Sequence, residues 1–201
     1  RERPDPLDLQ GDGQALGVTA GVLMKIGERH AVGLVYRSPF TVDLDGSTEL
    51  AAPGVGRGPS STKAQLDLPQ IVGVGYAFWP TPRLKIELDI EWTNWDTVDR
   101  IAFRSSDPIV NGTAIPLDWE DSFTVKAGVE YRIREHWTVR GGYAFWQNSV
   151  PTRTFSPLVP DSDLHSFATG LGYASGRWRV DVAYLYNHWT ARTVSGSVNS
   201  P

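Results

Sequence analysis

Alternation of apolar and charged residues is the feature that most constrains this chain. Residues 84–92, "LKIELDIEW", are apolar at every second position, with Lys85, Glu87, Asp89 and Glu91 between them. Successive side chains of a β-strand point to opposite faces, so the pattern predicts a strand with one apolar and one ionic face. Such a strand belongs either to a soluble sheet over a core or to a membrane barrel that turns the apolar face to lipid.

The same alternation recurs in seven further segments, and no segment shows a helical period of 3.6 residues. The apolar positions of these segments are Leu16, Val18, Ala20, Val22, Met24 and Ile26; Val32, Leu34 and Tyr36; Leu66, Leu68, Val72, Val74, Tyr76 and Phe78; Phe123, Val125, Ala127, Val129 and Tyr131; Val139, Tyr143 and Phe145; Phe167, Leu171 and Tyr173; and Val180, Val182, Tyr184 and Tyr186. The sequence therefore predicts an all-β chain of about eight long strands.

The predicted connections alternate between short and long. Short turns are expected near residues 27–30, 80–83, 134–136 and 175–177, and long loops rich in Pro, Gly, Ser and Asp near 45–61, 105–118 and 149–163. Short turns at one end and long loops at the other are typical of bacterial outer-membrane barrels, whose short turns are periplasmic. Residues 1–201 are thus predicted to form one antiparallel up-and-down transmembrane β-barrel domain. It would be incomplete, since neither terminus reads as the natural end of a barrel.

Aromatic residues favour lipid over a dry core. All seven tyrosines fall in the apolar phase of their strands, and a buried phenol needs a hydrogen-bond partner that a membrane interface supplies. The residues assigned to the membrane interface are Trp92, Trp119, Trp137, Trp178, Tyr131, Tyr143 and Tyr184. Trp95, Trp146 and Trp189 fall in the opposite phase, so the predicted aromatic girdle is only partial.

Composition excludes several functions. A net charge of -4 makes nucleic acid an unexpected partner, and the absence of cysteine excludes a disulfide scaffold. No two of the four histidines have metal-ligand spacing, so neither a metal nor another cofactor is predicted. The acids at 87, 89 and 91 could suggest a glycosidase, but neighbours on one strand face have no partner across a cleft. The chain is predicted not to be an enzyme.

Several short motifs resemble the FadL/TodX family of outer-membrane transporters of long-chain fatty acids and aromatic hydrocarbons. The motifs, in order, are Leu68-Pro69, Trp92-Thr93-Asn94-Trp95, Trp119-x-Asp121, Gly128-x-x-Tyr131, Trp137-x-x-Arg140-x-Gly142, Ser149-Val150-Pro151 and Pro160-Asp161-x-Asp163. The resemblance implies a fourteen-stranded barrel with an N-terminal hatch, which takes substrate from outside and releases it sideways through the wall. This chain would match the C-terminal part, without the hatch or the final strand.

The resemblance implies passive, binding-driven uptake across the bacterial outer membrane by a monomer, whose partners are a hydrophobic small molecule and outer-membrane lipid. The lumen candidates for ligand binding, taken from the charged face of the predicted strands, are Lys126, Arg140, Glu130 and Arg179. The two cations Lys126 and Arg140 could hold a fatty-acid carboxylate, although pairing with nearby acids is the commoner role of such cations. Residues 155–159 are either a hydrophobic landing surface or ordinary loop packing. The alternative functions are a soluble Trp-rich β-sandwich that binds carbohydrate and a general diffusion porin.

Overall fold

A computed structural model describes residues 7–52, 55–56, 58–157 and 159–198. These residues form antiparallel β-strands and two single turns of 3-10 helix, at Trp95–Thr97 and Thr152–Thr154, and they include no α-helix. The strands are β1 (Leu7–Gln14), β2 (Thr19–Ile26), β3 (His30–Arg37), β4 (Phe40–Ala52), β5 (Val55–Gly56), β6 (Ser60–Leu68), β7 (Ile71–Thr81), β8 (Leu84–Thr93), β9 (Arg100–Ser105), β10 (Ala114–Pro116), β11 (Ser122–Arg132), β12 (Trp137–Trp146), β13 (Leu164–Ser175) and β14 (Trp178–Trp189). The all-β prediction is confirmed. No helix in the described ranges is long and apolar enough to cross a membrane.

Eight strands form the larger sheet, in the order β14-β13-β12-β11-β8-β7-β3-β2. The tight turns join β2 to β3, β7 to β8, β11 to β12 and β13 to β14, at one end of the sheet. In the turns at Gly27 and Gly176 the backbone has a positive φ, of 64° and 56°, which glycine adopts without a steric cost. Strands β2 and β14 lie at the two edges, and among the described residues neither has a second partner strand.

Strand register turns the alternation into two distinct faces of the larger sheet. One row across all eight strands is Met24, Val32, Tyr76, Leu88, Ala127, Tyr143, Phe167 and Tyr186. The adjacent row, on the other face, is Leu23, Gly33, Gly75, Asp89, Lys126, Ala144, Ser166 and Asn187. We call these the apolar face and the mixed face. The residues exposed on the apolar face include Leu88, Phe167 and Tyr186.

A smaller sheet, β1-β4-β6-β9-β10 with β5 beside β4, extends the long-connection end of the larger one. Its strands continue the larger sheet: Arg37 pairs with Ile71 in the larger sheet, and Phe40 pairs with Leu68 in the smaller one. Between these pairs lie Pro39 and Pro69, each of which lacks the N–H that a ladder requires. Proline thus divides long hairpins into two sheets.

The strand bounds correct three details of the sequence-based description. Most of the predicted loop 45–61 is strand, because β4 continues to Ala52 and β6 begins at Ser60; residues 53, 54 and 57 lie outside the described part. The predicted strand from 66 to 78 is two strands separated at Pro69. Leu16 and Val18 precede β2, which begins at Thr19. The predicted terminal cuts lie at residues outside the described ranges.

Most of the buried apolar side chains lie in the long connections. Val98 is 1% exposed, and Val110, Leu117 and Val150 are also buried, all of them outside the strands. Thr154 is buried with them and donates its hydroxyl hydrogen bond to the main-chain oxygen of Leu117. Backbone hydrogen bonds join the connections at the strand ends, from Leu117 to Asp99, from Glu120 to Ser149 and from Val198 to Arg153. We call this region, residues 94–121, 147–163 and 189–198, the rim.

Candidate ligand-facing surface

A groove of about 410 Å³ crosses the mixed face from β2 to β11. Its floor contains four glycines, Gly21, Gly33, Gly73 and Gly75. A Cβ added at Gly73 would lie 2.9 Å from Cγ1 of Val35, and one at Gly75 would lie 2.3 Å from Oδ1 of Asp89. The glycines therefore leave room for neighbouring side chains to lie flat, and this lowers the floor of the groove.

The groove is apolar at its β2 and β3 side and charged at its β8 and β11 side. Leu23 and Val35 line the first part, and Asp89, Glu91 and Lys126 line the second. In register, Lys126 is directly opposite Asp89. Within the described ranges, Lys126 forms no ion pair or side-chain hydrogen bond, so its ammonium group is free for another partner.

Arg140 is in the opposite situation, because two carboxylates hold its guanidinium. Its Nε donates to Oε2 of Glu130 at 2.6 Å, and its Nη1 donates to Oδ1 of Asp181 at 2.7 Å. Gly172 makes this geometry possible, since a Cβ there would lie 3.0 Å from Nη1 of Arg140 and 2.6 Å from Oδ1 of Asp181. Arg179 donates to the other oxygen of Asp181 at 2.9 Å.

Of the four predicted lumen candidates, the structure brings three into one network. Arg140 pairs with both Glu130 and Asp181, and Asp181 also pairs with Arg179. This network lies at the tight-turn end, where its residues border a separate groove of about 300 Å³. Lys126 lies apart from them, in the glycine-floored groove. The sequence placed Lys126 and Arg140 on one face of the sheet. It could not show that Arg140 is paired and Lys126 is not, because the pairing depends on the contact of Arg140 with Asp181, which passes diagonally over Gly172.

The aromatic candidates lie at different heights along the sheet. Trp137 packs on Tyr173 with ring centroids 4.8 Å apart, beside the tight turns. Tyr143 shares a 2.8 Å hydrogen bond between its hydroxyl and Nδ1 of His165. Three further candidates, Trp178, Tyr131 and Tyr184, are exposed on the apolar face. Trp119 follows no strand parity because it lies in the rim, where it meets Trp95 edge-to-face at 5.0 Å.

Asp121 fastens one part of the rim. Its carboxylate accepts hydrogen bonds from Nε1 of Trp92 at 3.0 Å, from Nδ2 of Asn94 at 3.2 Å and from the amide of Asp96 at 3.2 Å. Burial acts to raise the pKa of Asp121, but these three donors together outweigh it and lower the pKa below its ordinary value. Asn94 also accepts a bond from Gln70 at 3.1 Å, which links this cluster to the start of β7.

Asp161 and Asp163 fasten a second part of the rim. Oδ2 of Asp161 accepts from the amides of Ser149 and Val150 at 2.7 and 3.1 Å. Oδ1 of Asp163 accepts from the backbone and side-chain N–H groups of Asn148 at 2.8 and 2.9 Å, and these bonds lower the pKa of Asp163. Residues of the motifs Trp92-Thr93-Asn94-Trp95, Trp119-x-Asp121, Ser149-Val150-Pro151 and Pro160-Asp161-x-Asp163 are therefore contacts between strand ends. No group of three or more His, Asp or Glu side chains in the described part could hold a metal ion.

The sequence matches, over residues 6–199, the family described as outer membrane protein transport protein (OMPP1/FadL/TodX). The chain belongs to this family. A curated relative, the long-chain fatty acid transport protein of Escherichia coli K12, is 26% identical over 196 residues, which cover 90% of this chain and 43% of that protein. The chain thus spans under half the length of this relative.

Solved structures show the same fold. A FadL homologue from Pseudomonas aeruginosa superposes with a TM-score of 0.77 at 24% identity, over 87% of this chain and 44% of that one. The monoaromatic hydrocarbon channel CymD superposes with a TM-score of 0.59 at 20% identity, over 92% of this chain and 48% of that one. The predicted family and outer-membrane location are confirmed, and the FadL/TodX family comprises transport proteins and not enzymes.

Proposed function

We propose that the larger sheet is part of the wall of a closed transmembrane barrel, with the apolar face toward lipid and the mixed face toward the lumen. The support is the exposure of large apolar side chains on the apolar face, among them Leu88, Val182 and Tyr184. Strands of 8 to 12 residues are also close to the length of about 9–11 residues that a tilted strand needs to cross a bilayer. Further strands would pair with β2 and β14, because open edges are not tolerated in hydrocarbon.

The barrel would import hydrophobic compounds, either long-chain fatty acids or aromatic hydrocarbons, by binding and diffusion without chemistry. The glycine-floored groove is the observation that carries this proposal, since it gives the mixed face a partly apolar surface shaped by residues 21, 33, 73 and 75. The relatives' names support both substrate classes, one a fatty acid transporter and the other a hydrocarbon channel. A porin lumen needs no such apolar recess.

Lys126 would hold the polar end of a fatty acid in this groove while the hydrocarbon lies toward Leu23 and Val35. Its ammonium group is free, and a bond between ammonium and carboxylate is stronger than one between neutral groups. Asp89 and Glu91 border the same site, so the local charge does not favour anions alone. Glu130, Arg140 and Arg179 would instead stabilise the barrel wall through their ion-pair network with Asp181. The transporter is proposed to act as a monomer.

Liposome uptake tests this function. The protein, expressed from its complete coding sequence and reconstituted, should carry a labelled fatty acid or alkylbenzene inward faster than protein-free liposomes do. A hydrophilic sugar of similar mass should not enter, which separates this function from general diffusion. Equal flux of the hydrophobic probe with and without protein would refute the proposal.

A further inference from the structure

A cleft at the rim, separate from the glycine-floored groove, combines aromatic walls with a fixed guanidinium. It holds about 360 Å³ and is lined by Phe155, Pro160, Asp161, Ser162, Trp189, Thr190 and Arg192. Trp189 is 58% exposed, so much of its ring is open to a ligand. The volume lies at the lower end of the range of about 300–1,000 Å³ that is usual for small-molecule sites.

Arg192 is positioned by neutral groups. Its Nη1 donates to Oδ1 of Asn148 at 3.3 Å and to the main-chain oxygen of Asp161 at 3.2 Å, and its Nη2 donates to Oγ1 of Thr152 at 3.1 Å. Its guanidinium carbon lies 5.4 Å from the ring centroid of Phe155, a cation–π distance. The side chain is therefore held in place before any ligand arrives.

The charge of Arg192 has no direct counter-ion in the described part of the chain. These three contacts use three of the five N–H donors of a guanidinium and leave two for a ligand. Asp161 lines the cleft and Asp163 lies close enough for the charge of Arg192 to act on it, but their carboxylates accept hydrogen bonds from residues 148–150 and form no ion pair with Arg192. The site therefore offers a positioned cation beside apolar surface.

We propose that this cleft is a rim site for a hydrophobic monocarboxylate, whose carboxylate binds Arg192 and whose hydrocarbon packs on Phe155 and Trp189. The inference rests on the proposed function and adds to it a substrate class, since a neutral hydrocarbon has no carboxylate to form an ion pair with Arg192. Its position at the long-connection end means that the ligand would meet it before the groove that contains Lys126. Residue 158, within the predicted landing surface 155–159, lies outside the described residues.

The test compares a fluorescent long-chain polyene acid with its methyl ester, which differ only in charge and one methyl group. Binding of both is measured to the detergent-solubilised protein, expressed from its complete coding sequence. Arg192→Gln should weaken binding of the acid about tenfold relative to the ester, the loss expected for one charge-assisted contact. The control Arg153→Gln, on the same rim segment but paired with Asp118 at 3.5 Å, should leave the acid-to-ester ratio unchanged.

Two further variants keep the test decisive. Phe155→Ala should weaken acid and ester alike, because it removes apolar surface and no charge. Arg192→Lys should restore part of the acid binding that Gln loses, and both Arg192 variants should retain the faster unheated gel mobility of a folded barrel. Measuring each variant with and without Lys126→Gln separates the two sites.

If Arg192→Gln leaves the ratio of acid affinity to ester affinity unchanged, whether or not both affinities fall, the rim site is refuted. That result would not touch the proposed function, which liposome uptake by the unaltered protein decides by itself.

Discussion

The carboxylate of Asp121 accepts a hydrogen bond from the indole of Trp92 at 3.0 Å and so ties the start of β11 to the end of β8. Asp121 lies diagonally across this strand pair from Trp92, since Phe123, two residues after Asp121, pairs with Trp92. The bond therefore closes the strand pair at its rim end. Motif residues that carry the family resemblance thus join strand ends by hydrogen bonds, and replacing them tests the stability of the rim.

Asp121→Ala should destabilise the fold, because three donors lose a charged acceptor. Hydrogen bonds to a charged group contribute about 1.5–3 kcal/mol each when buried, and partial exposure places the expected loss near the lower figure. The temperature at which the folded band disappears on unheated gels measures it. Asp99→Ala is the control, since the exposed carboxylate of Asp99 makes no hydrogen bond within the described residues. Equal melting of the two variants would contradict the fastener role.

Asp163 should make stability sensitive to acid. Its pKa in the folded chain is lowered by the N–H groups of Asn148, so its stabilising effect is fully present above the ordinary Asp value. That effect is lost as pH falls from about 4 through the lowered folded value. Melting temperatures measured from pH 6 down to pH 3 should fall less steeply for Asp163→Asn than for the unaltered protein. Parallel curves would show that Asp163 does not couple stability to pH.

The alternation predicted strands and faces because each is a local property of the chain. The rows through Tyr76, Leu88 and Tyr143 follow from parity once the strands pair in register. A break in the strand at Pro69 could have been predicted, because proline lacks the N–H that strand pairing needs. The pairing of β4 with β6 beyond this proline depends on residues far apart in sequence. The role of Arg192 had no sequence signal, since its partners lie 31 to 44 residues away, in the connection between β12 and β13.

Lys126 and Arg140 should respond differently to loss of charge. Lys126→Gln should weaken fatty-acid binding about tenfold and leave alkylbenzene binding unchanged, because it removes one charge-assisted contact. Arg140→Gln should instead lower the melting temperature, since Glu130 and Asp181 lose their shared partner, and should leave fatty-acid affinity unaltered. Binding titrations and melting curves on both variants check this. The reverse assignment of effects would mean that Arg140 is the ligand-binding cation.

Adjacent residues on β13 should differ in their tolerance of charge. Phe167 lies on the apolar face and Ala168 on the mixed face. Phe167→Arg should destabilise the membrane-inserted barrel by about 2–4 kcal/mol if its position is near the midplane, whereas Ala168→Arg should cost little. Folding into lipid vesicles across a urea series gives both values. Greater harm from Ala168→Arg would reverse the assignment of the two faces.

The most direct test of the central claim uses the absence of cysteine from the chain. Gly33→Cys places a thiol in the groove, where a Cβ has only ordinary contacts, the nearest at 3.8 Å to Leu23. Leu34→Cys places a thiol on the exposed apolar face one residue away. Each variant is expressed from the complete coding sequence with any cysteine encoded outside residues 1–201 replaced by serine, then modified with a bulky thiol reagent, verified by mass and reconstituted. Modification at 33 should lower initial uptake of a labelled hydrophobic probe severalfold, and modification at 34 should leave it unchanged. Unchanged uptake after complete modification at 33 would contradict a transport path along the mixed face.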